Sequence, residues 1–101
     1  MFARSVSIRL KSNTPSDFLQ ILDAEVLPLL RKQKGFKEAI ALSNPDSRDV
    51  IAISLWENRD WAEAYNNDAY TRVMNILARV IDGPPKVQTF EQVTSAISKS
   101  L

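Results

Sequence analysis

The chain has 101 residues, the size of one domain, and its 45% hydrophobic and 25% charged content is that of an ordinary globular protein. Thirteen basic and twelve acidic residues leave a net charge of +1, without the concentrated basic surface that nucleic-acid binding needs. There is no cysteine and no histidine, which excludes disulfides, thiolate and imidazole catalysis, and the usual transition-metal and proximal haem ligands.

No apolar run is long enough to span a membrane, and strand-like alternation from Phe2 stands where a signal peptide would be. The expectation is a cytoplasmic protein with neither membrane nor nucleic acid as a partner. No D-x-D-x-D run suggests a carboxylate metal site, so no metal and no cofactor is expected.

In "FARSVSIRLK" (residues 2–11), Val6, Ile8 and Leu10 alternate with Ser5, Ser7 and Arg9, the period of a strand. Thr14 then suits a helix N-cap, Pro15 the first helical position, and Asp17 the first turn. Phe18, Leu22, Val26, Leu29 and Leu30 recur at helical spacing. Pro28 removes the amide that would bond the Ala24 carbonyl and predicts a kink. The basic run Arg31–Lys34 suits a solvated helix end, and Gly35 a left-handed C′ position.

"FKEAIALS" (36–43) and "VIAISLWE" (50–57) predict two strands joined by the turn "NPDSRD". Asn58 suits a cap for a short helix through Tyr65, and "NND" (66–68) marks a break. Tyr70, Val73, Leu77 and Val80 form a second apolar stripe, which Gly83 is expected to end. "KVQTFEQV" (86–93) predicts the last strand, with residues 93–101 a polar tail.

The order β-α-β-β-α-β over one domain, residues 1–101, predicts an α+β fold. Specifically, it is the ferredoxin-like arrangement: a four-stranded antiparallel sheet with two helices on one face. The large aliphatics Val6, Ile8, Leu10, Ile40, Leu42, Ile51, Ile53 and Leu55 are assigned to the helix side. Ala39, Ala41, Val50, Ala52, Trp56 and Phe90 are left on the outer face, with Ser5, Ser7, Ser54 and Gln88. That face is too apolar to be solvated, and a second copy is its simplest cover. Val50, Ala52, Trp56 and Phe90 are therefore the candidate dimer-face residues.

Three stretches then resemble the antibiotic biosynthesis monooxygenase (ABM) family of dimeric α+β-barrel proteins. These are "LLRKQKGF" closing the first helix, "SLWENRDWAEAY" leading from strand to helix, and "GPPKVQTFE" opening the last strand. The resemblance covers residues 3–93. It implies a homodimer whose sheets close a barrel, with a pocket between sheet and helices in each protomer. Some members oxidise aromatic polyketides with dioxygen and no metal or flavin; others open a haem ring. The haem-degrading branch uses a histidine, a tryptophan and a strand asparagine, at positions that align near Asn75, Tyr65 and Val6. None matches, and no haem-site residue is carried over.

The quinone-forming branch favours Asn, Trp and Tyr around its pocket. By residue type, Asn58, Trp61, Tyr65, Tyr70 and Asn75 are candidates to donate to an anion or stack on a planar substrate. Arg4, in phase with Val6 and Ile8, is a candidate to hold an anion; its alternative is to snorkel to the rim. Equally, Trp56, Trp61 and Tyr70 are explained by packing, Met74 by gap filling, Asn66 and Asn67 by cap and turn geometry, and Asn75 by solvation. The catalytic residues stay unassigned.

The reading is a cofactor-independent monooxygenase acting on a small planar aromatic or polyketide-like compound. Its alternatives are a non-catalytic module for a small hydrophobic ligand and a structural dimeric α+β-barrel domain.

Overall fold

The computed structural model describes residues 1–11 and 15–92. Thr14, the expected N-cap, the end of the last predicted strand at Val93 and the tail 93–101 lie outside the described residues. The elements are β1 (Phe2–Arg9), α1 (Pro15–Ile21), a π-helical turn (Leu22–Val26), α2 (Leu27–Arg31), β2 (Phe36–Ser43), β3 (Asp49–Trp56), α3 (Arg59–Asn67), α4 (Ala69–Leu77) and β4 (Lys86–Glu91). The sheet order is β2-β3-β1-β4, with every neighbouring pair antiparallel. The helices pack on one face, giving the expected ferredoxin-like α+β fold.

Two irregularities trace to single residues. Pro28 has no amide proton, so α-helical bonding cannot run through it unbroken. The chain answers with the π-helical turn, in which Leu27 N–H donates to the Leu22 carbonyl five residues back. Asn58 caps α3 as expected, its Oδ1 accepting from Trp61 N–H at 3.1 Å. The break predicted in residues 66–68 falls at Asp68, between α3 and α4. Helix α4 ends at Leu77, earlier than the expected stop at Gly83. Ile81 instead bridges to Leu10, and Asp82 N–H bonds the Arg9 carbonyl, which pulls the chain out of helix.

The facing of β2 and β3 is opposite to the sequence expectation. Antiparallel partners share a face. Val6 pairs with Ala52, Ile8 with Val50, Arg4 with Ser54 and Phe2 with Trp56. Val50 and Trp56 are buried under the helices, and Ala52 shares their face, so these three are not dimer-face residues. Ala39 and Ala41 also point to the helices. Ile40, Leu42, Ile51, Ile53 and Leu55 occupy the outer face with Phe90. Ile40, Leu42, Ile51 and Phe90 are 44%, 54%, 41% and 54% exposed. Both phases of these strands are apolar, so side-chain size does not decide their facing, and pairing to β1 turns the smaller set inward.

Gly35 and Gly83 both take positive φ, +79° and +82°. At Gly35 a Cβ would overlap the Trp61 ring; at Gly83 it would meet nothing. An Ala at positive φ costs about 1–2 kcal/mol, and overpacking adds about 1–3 kcal/mol. Urea denaturation should therefore show Gly35→Ala losing roughly 2–5 kcal/mol and Gly83→Ala roughly 1–2 kcal/mol. Equal losses would contradict the packing of Trp61 on Gly35.

Candidate functional site

Strand β1 carries Phe2, Arg4, Val6 and Ile8 to the helix side of the sheet, and all four are buried. On one side of Arg4 and Val6, β3 and then β2 present short side chains there: Ser54 and Ala52, followed by Ala39 and Ala41. Short side chains under a helix layer leave space. A cavity of about 400 Å³ lies between this part of the sheet and the helices, within the range of small-molecule sites. Its wall is mostly aliphatic, with Leu22, Val26, Leu30, Val73, Met74 and Leu77 from the helices. Arg4, Tyr65 and Tyr70 make one polar end, and Asp23, on the π-helical turn, also lines the cavity.

Arg4 is 3% exposed. Its guanidinium carbon lies 4.2 Å from the Tyr70 ring centroid and 5.3 Å from that of Tyr65. Such contacts contribute about 0.5–2 kcal/mol each. Its Nη2 donates to Asn66 Oδ1 at 2.6 Å. No ion pair among the described residues involves Arg4. A buried cation is normally paired, because losing hydration costs several kcal/mol. Here aromatic faces and one neutral amide stand in for a carboxylate.

The two tyrosines differ. Tyr65 stacks on Trp56, ring centroids 4.9 Å apart, and meets Tyr70 edge-on at 6.0 Å. Trp56 is fixed in turn by its Nε1–H to Ser54 Oγ at 2.9 Å and by the edge of Phe36. Burial pushes the Tyr65 phenol up to about 12, partly opposed by Arg4. It is therefore a neutral donor at physiological pH. The Tyr70 hydroxyl is buried without a hydrogen-bond partner among the described residues. Leaving such a group unmatched costs about 1–3 kcal/mol.

Of the six pocket candidates from the sequence, Arg4, Tyr65 and Tyr70 come together at the cavity. Asn58 is an N-cap, Trp61 packs on Gly35 with Lys34 Nζ 5.9 Å from its ring, and Asn75 is exposed on α4. None of those three lines the cavity. Sequence reasoning missed Asn66 as the partner of Arg4, because an exposed amide near a helix end is indistinguishable from a cap. It also missed the small sheet residues Ala39, Ala41, Ala52 and Ser54, which share the register of Arg4 and Val6.

A raised phenol pKa has a definite sign. The folded state holds the Tyr65 proton to about pH 12, whereas the unfolded chain releases it near pH 10. Stability linked to Tyr65 is full below about pH 10 and falls by up to about 1.4 kcal/mol per pH unit above it. Spectrophotometric titration should show Tyr65 ionising about two units late. Tyr65→Phe should abolish that late phase. A wild-type titration with no late tyrosine phase would contradict the burial of Tyr65.

No protein-family model matches the chain, and no curated protein matches it. Solved structures do match, at low identity. The ActVA-Orf6 monooxygenase of Streptomyces coelicolor, in complex with nanaomycin D, superposes with TM-score 0.79 and 18% identity over 93% of this chain and 88% of that one. SnoaB, a cofactor-independent oxygenase from Streptomyces nogalater, gives 0.76 and 13% over 94% and 95%. NE2512, a protein of unknown function from Nitrosomonas europaea, gives 0.74 and 20% over 93% and 90%. The chain thus has the α+β fold of antibiotic-biosynthesis-type monooxygenases.

Proposed function

We propose that this chain is an ABM-type, cofactor-independent monooxygenase for a small planar aromatic or polyketide-like compound. One observation carries the reading. A buried guanidinium with no carboxylate partner among the described residues stands beside an unmatched phenol at the end of an apolar cavity. The monooxygenases that share the fold support it, since one of them holds a small ligand, nanaomycin D.

The chemistry is that of a substrate acting as its own reductant. An anthrone-like ring system loses a proton to give a phenolate or enolate. That anion passes an electron to dioxygen, and the two radicals combine at the ring carbon. Loss of water leaves a carbonyl: a CH₂ becomes C=O, one oxygen atom enters the product, and the other leaves as water. All four electrons come from the substrate. Arg4 and the Tyr65 and Tyr70 hydroxyls stabilise the anion in surroundings that amplify their fields. The aliphatic wall excludes water and holds the ring plane.

We further propose that the outer sheet face pairs with a second copy. Its exposed Ile40, Leu42, Ile51 and Phe90 form a patch that solvent alone would leave uncovered. The reading of the protein as cytoplasmic belongs to the same proposal.

Oxygen uptake with a panel of anthrones and quinols tests the activity. The wild type should consume oxygen above background with at least one. Arg4→Met should cut the rate by about 10²–10³-fold and Tyr70→Phe by about tenfold. No uptake above background with any substrate would argue against the proposal. Light scattering at micromolar concentration should give a dimer, and Ile51→Lys a monomer. A monomeric wild type would refute the pairing.

A further inference from the structure

Arg4 separates two spaces. One side lines the main cavity; the other lines a smaller cleft with Asn66, Glu63, Arg59 and Thr89. Asn66 is in the second cleft and does not line the cavity. It therefore holds Arg4 from behind, at 2.6 Å, without facing a ligand in the cavity. Glu63, three residues earlier on α3, shares that cleft, yet the partner of Arg4 is the amide and not this carboxylate.

We infer that Asn66 is a positioning residue that orients Arg4 without neutralising it, so that the cavity selects planar aromatic oxyanions over neutral ligands of the same shape. An aspartate at 66 would reach with the same oxygen and keep the geometry. It would also supply the counter-charge, leaving a compensated pair with no remaining demand for an anion. The amide accepts one N–H, keeps the guanidinium in place, and leaves the positive charge for the cavity. The other N–H groups of Arg4 have no partner among the described residues and remain for the ligand. A phenolate and a carboxylate meet the same need, since each offers an anionic oxygen in the plane of a ring. The inference rests on the cavity reading above.

The test uses the whole chain and two probes, 2-naphthoate and its neutral isostere 2-naphthamide, titrated at neutral pH by quenching of intrinsic fluorescence. 2-Naphthol titrated across its ionisation then distinguishes phenolate from carboxylate recognition. The wild type should bind naphthoate about tenfold or more tighter than naphthamide. Asn66→Asp should abolish the preference, weakening naphthoate by about tenfold while naphthamide stays within about twofold. Asn66→Ala, which loses the anchor but adds no charge, should keep part of the preference. Asn66 is exposed, so both variants should fold, and circular dichroism checks this.

If Asn66→Asp retains the wild-type preference, Asn66 is merely structural and the inference fails. If the wild type binds both probes equally, the inference fails while the cavity reading stands. If the wild type binds neither probe, both fail.

Discussion

A positive charge buried beneath two aromatic rings is the constraint on which the rest of this structure depends. Arg4 stands on the helix side of β1, between Phe2 and Val6, where an apolar side chain would be the unremarked choice. Keeping a guanidinium there requires aromatic faces at its plane, a hydrogen-bond acceptor at its edge, and neighbours small enough to leave it room. Tyr65 and Tyr70 supply the faces and Asn66 the partner. Each lies on or beside the break between α3 and α4, so the Asp68 interruption is what lets one helical run present Tyr65 and Tyr70 to the same guanidinium.

The cavity and the apolar outer face are two results of a single register. Pairing Val6 with Ala52 and Ala41 with Ala52 places alanines where the helices cross the sheet. The same pairing sends Ile40, Leu42, Ile51, Ile53 and Leu55 outward. A slip of one residue would fill the interior with these aliphatics, closing the cavity and leaving a small-residue face outside. The register thus exchanges a conventional core for an internal space and an uncovered patch. In this light, Pro28 has a local consequence: the π-helical turn ahead of it contains Leu22, Asp23 and Val26, all of which line the cavity.

Much of the fold was legible because its signals were local. The strand alternation at Val6–Leu10, the Asn58 cap, the break near Asp68 and the positive-φ turn at Gly35 each have a cause within a few residues. The inward phase of β2 and β3 was not legible. Ile51, Ile53 and Leu55 compete with Val50, Ala52 and Trp56, and only pairing to β1 decides between them. Reading size as burial chose the wrong set, because a ligand-sized space inverts the usual rule that the largest aliphatics point inward. At the site, Arg4 was visible through its phase with Val6 and Ile8, and Tyr65 and Tyr70 through residue type. Asn58 and Trp61 share those residue types and have other tasks: one caps a helix, the other packs on Gly35. Asn66 carried no distinguishing mark, since its importance comes from a partner 62 positions away.

The most direct test of the account is a crystal structure of the chain with a planar aromatic carboxylate such as 2-naphthoate bound. The account predicts the ring between Val73 and the alanines of the sheet, with its carboxylate within hydrogen-bonding distance of Arg4. A ligand absent from the cavity, or seated there with its carboxylate turned to solvent and Arg4 untouched, would contradict it.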